Sequence, residues 1–243
     1  MFGIGKHALP ESFFKGSCDV HCHLLPGVDD GFATYEASLQ ALKKLEEYGV
    51  EKMILTPHFM KEYPDNNRTS ISTLFEAFKD EAEKICDIEL NLGAEYMLDV
   101  HFMDHFKQGF LTLDKAKTHV LCETSYLMYE HGVSKMLYDV MCEGFQPIVA
   151  HPERYEYASK EQYGNWKDKR YKFQLNLLSL VGVYGGMAEA KAHYLLNEGY
   201  YDYVGSDMHR LDNYRHFIPK LRLKTKEIDK LGQLLENNKR LFV

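Results

Sequence analysis

The 243-residue sequence has no uninterrupted apolar run long enough to cross a bilayer, so no helical membrane insertion is expected. Positive charge is scarce as well: 29 Lys and Arg stand against 36 Asp and Glu, for a formal charge of −7. That balance argues against a general affinity for nucleic acid, whose phosphates need a basic face. The cysteines Cys18, Cys22, Cys86, Cys122 and Cys142 are odd in number and form no CxxC pair. A disulfide framework is therefore not expected, and reduced thiols in a cytoplasmic protein fit better. None of these cysteines is followed six positions on by arginine, so the phosphate loop of cysteine-dependent phosphatases is missing. The stretch from Met1 to His7 lacks an apolar core with a small-residue cleavage site, and no signal peptide is expected there.

What is present is the composition of a globular domain, 45% hydrophobic and 27% charged, with enough length to bury one large core. Residues 1–17 read as a leader without clear pattern, and 18–243 as a single domain. Within that domain, strand patterns at 18–25, 53–56, 88–93, 119–122, 146–150, 173–177 and 203–206 alternate with helical ones. Helices are expected over 34–48, 71–85, 100–107, 133–142, 160–169, 188–197 and 226–241. The second should bury Leu74, Phe78 and Ala82, and the polar stretch 60–69 should be a surface loop. Seven strand–helix alternations imply parallel strands with helical crossovers, which an open doubly wound sheet and a barrel satisfy equally.

The ligand-type residues choose between them. His58, Glu95, Glu123, His151, Asp207 and His209 each fall at the C-terminal end of an expected strand. Only a barrel brings so many strand ends round one point, and barrel active sites gather at that face. A distorted α/β barrel of the (βα)7 type is therefore expected. The first strand adds Asp19, His21 and His23, which alternation places on one face. The Pro26-Gly27 turn then brings Asp29 and Asp30 back toward the same end. Five imidazoles with several carboxylates suit Mn, Fe or Zn, and bridging carboxylates make a multinuclear cluster plausible. Arg154 and Arg215 are placed to hold phosphate oxygens, for which the planar guanidinium is suited.

Blander roles suit the rest. His7, His101, His105, His119, His131, His193 and His216 fall outside the pattern and read as surface or core histidines. Cys22 alternates away from the ligand face, which argues against a nucleophile. Asp19 is expected to orient an imidazole from behind, while Asp29 and Glu153 suit either that role or solvent. Tyr126, Tyr129 or Tyr155 could line a pocket for a phenyl ring.

His21-Cys22-His23, Asp29-Asp30-Gly31, Thr56-Pro57-His58, Gly93-Ala94-Glu95-Tyr96, His151-Pro152-Glu153-Arg154 and Ser206-Asp207-Met208-His209 together resemble the PHP (polymerase and histidinol phosphatase) superfamily. They resemble most its bacterial tyrosine-phosphatase branch, encoded with capsule and exopolysaccharide genes. The resemblance implies a PHP-type (βα)7 barrel with three divalent cations, often manganese. By position, His21, His23, Glu95 and Asp207 would hold one cation. Glu95 would bridge to a second, completed by Glu123 and His151, and Asp30, His58 and His209 would hold the third. Arg154 matches the family's HxER segment; Arg215 matches loosely, because the loop after His209 differs. The implied substrate is phosphotyrosine on a polysaccharide co-polymerase tyrosine kinase, attacked by metal-activated hydroxide without a cysteinyl intermediate. Alternatives are a phosphatase of a small phosphomonoester such as histidinol phosphate, a barrel that binds metal or a partner without turnover, and a nuclease, which the acidic balance disfavours.

Overall fold

The computed structural model describes residues 5–129 and 132–243; His131 and the first four leader residues lie outside the described residues. Strand β1 (His7–Ala8) and a turn precede β2 (Ser17–Cys22), which leads to helix α1 (Tyr35–Glu47). The Thr34 hydroxyl caps that helix by accepting from the Ala37 amide, and Gly49, at φ +91°, turns the chain out of it. Strands β3 (Val50–Leu55) and β4 (His58–Phe59) then precede α2 (Arg68–Ala82). Strands β5 (Glu89–Leu92) and β6 (Glu95–Met97) follow, then α3 (Phe102–Gln108). Next come β7 (His119–Glu123), α4 (Val133–Cys142), β8 (Gln146–Ala150) and α5 (Lys160–Asp168). The chain finishes with β9 (Lys172–Asn176), α6 (Gly186–Glu198), β10 (Tyr203–Gly205), α7 (Leu211–Phe217), β11 (Arg222–Leu223) and α8 (Thr225–Asn238).

Several expectations need correction. Helix α2 begins at Arg68 because the Asn67 side chain accepts from the Thr69 and Ser70 amides, which shortens the expected loop. Its inward face is Ile71, Phe75, Phe78 and Ala82, whereas Leu74 is 42% exposed. Asn66, expected at the surface, is buried and donates its amide to the carbonyls of Val28 and His58. The leader is not without structure, since β1 pairs antiparallel with β11 and Phe14 packs into the core. Helix α7 and the short strands β4 and β6 were not anticipated from the pattern.

The architecture is mixed α/β around a curled parallel sheet. One sheet has the order β2-β3-β5, and a second has the order β10-β9-β8-β7-β6-β4. The curl brings β2 beside the end of β10, where Asp207 N donates to His21 O at 2.8 Å and His23 N to Met208 O at 3.0 Å. Along β7 the side chains alternate: Val120 and Cys122 pack outward, while Leu121 joins an inner apolar cluster with Ile54, Ile148 and Ala150. Leu241 and Phe242 close that inner cluster. It forms an apolar floor, and the inward residue after Leu121 on β7 is the buried Glu123.

Candidate metal centre

All the strand-end residues singled out from the sequence meet above this floor. The ring nitrogens Nε2 of His21 and His23 face each other at 3.2 Å. From His21 Nε2 it is 3.2 Å to Glu95 Oε2 and 3.4 Å to Asp207 Oδ1. His23 Nε2 stands 3.4 and 3.3 Å from the same two oxygens. Donors held about 2.1 Å from one cation sit roughly 3 Å apart, so this spacing is that of a coordination shell. Beside it, His151 Nε2 lies 3.0 Å from Glu95 Oε1, the other oxygen of the same carboxylate. His58 Nδ1 lies 3.1 Å from Glu95 Oε2 and 3.0 Å from Glu123 Oε1. Toward solvent, Asp30 Oδ1 is 3.4 Å from His58 Nε2 and 3.2 Å from His209 Nε2. Three sets therefore place their donor atoms within 4.8 Å of one another: His23, Asp30, His58 and His209; His21, Glu95, His151 and Asp207; and His58, Glu95 and Glu123.

The donor chemistry fits divalent cations. Glu95 Oε2, Glu123 Oε1, Asp207 Oδ1 and His58 Nδ1 are buried and accept or donate no hydrogen bond, although each is within 3.5 Å of an opposite partner. Their lone pairs converge on shared points rather than on one another's hydrogens. The far ring nitrogens are tied down. His21 Nδ1 donates to Gln174 Oε1 at 2.8 Å, His23 Nδ1 to Asp29 Oδ2 at 2.9 Å and His209 Nδ1 to the Asp207 carbonyl at 3.0 Å. Each of those bonds fixes a tautomer whose Nε2 lone pair points inward.

Charge points the same way. Burial works against the imidazolium of His21, yet Glu95 and Asp207 raise its pKa above the ordinary value. Burial alone would raise Glu95 and Asp207, but the surrounding histidines, His21 foremost, hold both carboxyls well below their usual range. Asp30 is held low by its neighbours His209 and His58. Carboxylates held ionised while buried call for compensating positive charge, which divalent cations would supply.

The backbone is bent to build this. His151 and Asp207 adopt positive φ, 31° and 48°, which is unusual without glycine and tends to mark functional sites. Glycines make room: a Cβ on Gly31 would fall 2.2 Å from His23 O, and one on Gly205 would fall 2.6 Å from His21 Cβ. The register of β2 against β3 shifts between Asp19 and Cys22, which re-aims the histidine pair.

Arg154 is 17% exposed and donates from Nη1 to Asp207 Oδ2 at 2.8 Å. It lines a cavity of about 230 Å³ with Asp30, Tyr184, Asp207, His209 and Arg210. Arg215 does not line this cavity; it borders a neighbouring one with Phe32, Thr34 and His209. Asp19 does not orient an imidazole, because it accepts from Ser206 and from the His21 amide while Gln174 holds the ring. Asp29 takes the orienting role. Glu153 is buried away from solvent, accepting from the Asn176 amide and the Tyr201 hydroxyl. Cys22 is buried on the outward face, its Sγ on Ile54 O, and burial pushes its thiol well above the ordinary value.

Gln174 and Asn176 were missed by sequence reasoning. The available signal was two amides at i and i+2 on an otherwise apolar buried strand, Phe173-Gln174-Leu175-Asn176. Arg210 and Tyr184, which sit in loops, carried no such signal.

The profile of the family described as capsular polysaccharide synthesis, CpsB/CapC, matches residues 17–237. The tyrosine-protein phosphatase YwqE of Bacillus subtilis is 26% identical over 199 residues, which cover 79% of this chain and 77% of that protein. The tyrosine-protein phosphatase CpsB of Streptococcus agalactiae is 27% identical over 209 residues, covering 80% and 83%. Among solved structures, one described as YwqE from B. subtilis and CpsB from Streptococcus pneumoniae, metal-dependent tyrosine phosphatases, superposes with a TM-score of 0.73 at 22% identity, over 92% of this chain and 93% of that one. A phosphotriesterase homology protein from Escherichia coli superposes at 0.57 with 15% identity, over 93% and 98%.

Proposed function

Because this chain belongs to the CpsB/CapC family of capsular polysaccharide synthesis, we propose that it is a metal-dependent tyrosine-protein phosphatase, a phosphoric monoester hydrolase. The observation that carries the reading is the convergence of nine imidazole and carboxylate side chains on three adjacent donor sets beside an arginine. His21, His23, Glu95 and Asp207 would hold one cation, Glu95, Glu123 and His151 a second, and Asp30, His58 and His209 a third. His58 also reaches Glu95 and Glu123, His151 also groups with His21 and Asp207, and His23 also groups with Asp30, His58 and His209, so these three histidines lie between neighbouring positions. Manganese is the proposed metal, the nitrogen and oxygen donors also suiting iron or zinc. Bound divalent cations supply Lewis acidity at phosphorus and an activated water.

The protein's own residues do the rest. Arg154 offers its remaining guanidinium donors to the non-bridging phosphoryl oxygens, and Arg210, lining the same cavity, is better placed than Arg215 to share that task. Asp29 and Gln174 hold the imidazoles of His23 and His21 in register. No thiol takes part, which agrees with the buried outward position of Cys22. Joining β3 to β4 and β5 to β6 as single bent strands gives seven parallel staves, and on this reading the fold is a complete distorted (βα)7 barrel. The substrate is phosphotyrosine on a capsule-system tyrosine kinase, met in the cytoplasm; no helix among the described residues is long and apolar enough to cross a membrane.

The test is a side-by-side assay of the manganese-loaded protein on a phosphotyrosyl peptide and on histidinol phosphate. The expected result is a kcat/KM at least a hundredfold higher on the peptide, abolished by EDTA. Preference for histidinol phosphate would replace the substrate, and turnover insensitive to chelation would remove the mechanism.

A further inference from the structure

Arg154 is enclosed in a way that its sequence context does not announce. The Tyr126 ring centroid lies 4.4 Å from the guanidinium carbon and the Tyr184 centroid 4.1 Å. Two rings at that distance both stand within cation–π reach of one guanidinium, each attracting it through its quadrupole. Each tyrosine is itself held by the metal-ligand set. The Tyr126 hydroxyl donates to Glu123 Oε2 at 3.3 Å. The Tyr184 hydroxyl accepts from Asn176 Nδ2 at 3.0 Å, and the same amide donates to Asp207 Oδ2 at 2.7 Å. Asp207 Oδ2 in turn receives Arg154 Nη1 at 2.8 Å.

We propose that Tyr126 and Tyr184 are positioning residues that clamp Arg154 between their rings, so that its free donors present one fixed plane to a phosphoryl group in the adjacent cavity. With two rings packed against it and one edge spent on Asp207, the guanidinium is restrained in its orientation. An arginine otherwise loses rotamer freedom when it captures phosphate. Here that loss is met at folding, so binding is tighter for the same contacts. The hydroxyl bonds aim the rings, but the faces do the clamping. The inference rests on the phosphatase reading for its ligand class.

The test reads phosphate binding apart from turnover. Affinity of the manganese-loaded protein for inorganic phosphate is measured by calorimetry, and hydrolysis of a phosphotyrosyl peptide is measured separately. Tyr126→Leu and Tyr184→Leu should each weaken phosphate about tenfold, in line with a cation–π contact away from water. Tyr126→Phe and Tyr184→Phe, which keep the ring, should stay within about twofold at unchanged metal content. In an Arg154→Gln background the Leu exchanges should add nothing further, because they act through the arginine. The clamp is overturned if the Leu variants bind phosphate as the parent does, or if Phe loses as much as Leu. It is equally overturned if the Leu effect persists without Arg154. A parent protein that binds phosphate but does not hydrolyse the peptide would remove the substrate reading and leave this result standing on its own.

Discussion

Glu95 faces two ways: Oε1 toward His151, and Oε2 toward His21, His23 and His58. A fully buried carboxylate with so many imidazoles around it is suited to be the shared ligand that the proposed function assigns it. Cys22 shows the converse. It stands between two of these histidines in sequence, yet the alternation of the strand turns it toward Ile54 and the outer core. Cys22→Ser should therefore leave kcat/KM on a phosphotyrosyl peptide within a few-fold of the parent; a thousandfold loss would reinstate a thiol nucleophile. Asp29 bears on affinity rather than on chemistry, through its bond to His23 Nδ1. Asp29→Asn should weaken metal retention by about 10–100-fold, as loss of an imidazole-orienting carboxylate does elsewhere. Metal content after dialysis against a competing chelator measures it, and unchanged retention would assign the orientation of His23 to something else.

At the scale of elements, seven of the eleven strands among the described residues and most helices were legible because their patterns repeat: α4 and β8 begin and end where periodicity places them. Six of the nine ligand candidates were legible as polar residues at the end of an expected strand, His21 and His23 by alternation along the first strand, and Asp30 by the turn that follows it. What could not be read was set by contacts distant in sequence. Strand β1 exists only because β11 offers it an edge more than two hundred residues later, and the Gln174 amide gains its meaning from His21 on another strand. The choice of Phe75 over Leu74 for the inward face of α2 is likewise set by packing against the core, which Phe75 joins and Leu74 does not. Close approach of β10 to β2 is a further case, since it needs an absent side chain at Gly205. Gly205→Ala would set a methyl 2.6 Å from His21 Cβ and 3.3 Å from His21 N, so one strand must shift. A loss of about 1–3 kcal/mol in urea unfolding is expected, the usual cost of overpacking. Stability equal to the parent would mean that the two strands separate without penalty.

For the whole molecule, the proposed cations would tie stability to activity. Groups that bind a cation only when assembled stabilise the folded state by mass action, about 2.7 kcal/mol at a hundredfold excess over Kd. EDTA should therefore lower the thermal midpoint by about 5–10 °C in a chain of this size, with manganese restoring it. A midpoint indifferent to both would show that the donor sets hold no ion in solution. Such coupling also follows from where the sheet divides. The chain passes from the smaller sheet to the larger at Thr56-Pro57 and again at Gly93-Ala94, and the histidine pair at the end of β2 belongs to one side while Glu95, Glu123 and His151 belong to the other. The cations would act as rivets across that seam. Amides such as Asp207 N and His23 N, which bond between the two sheets to His21 O and Met208 O, should then exchange with deuterium together, slowly when the rivets are in and as a single opening unit when they are out.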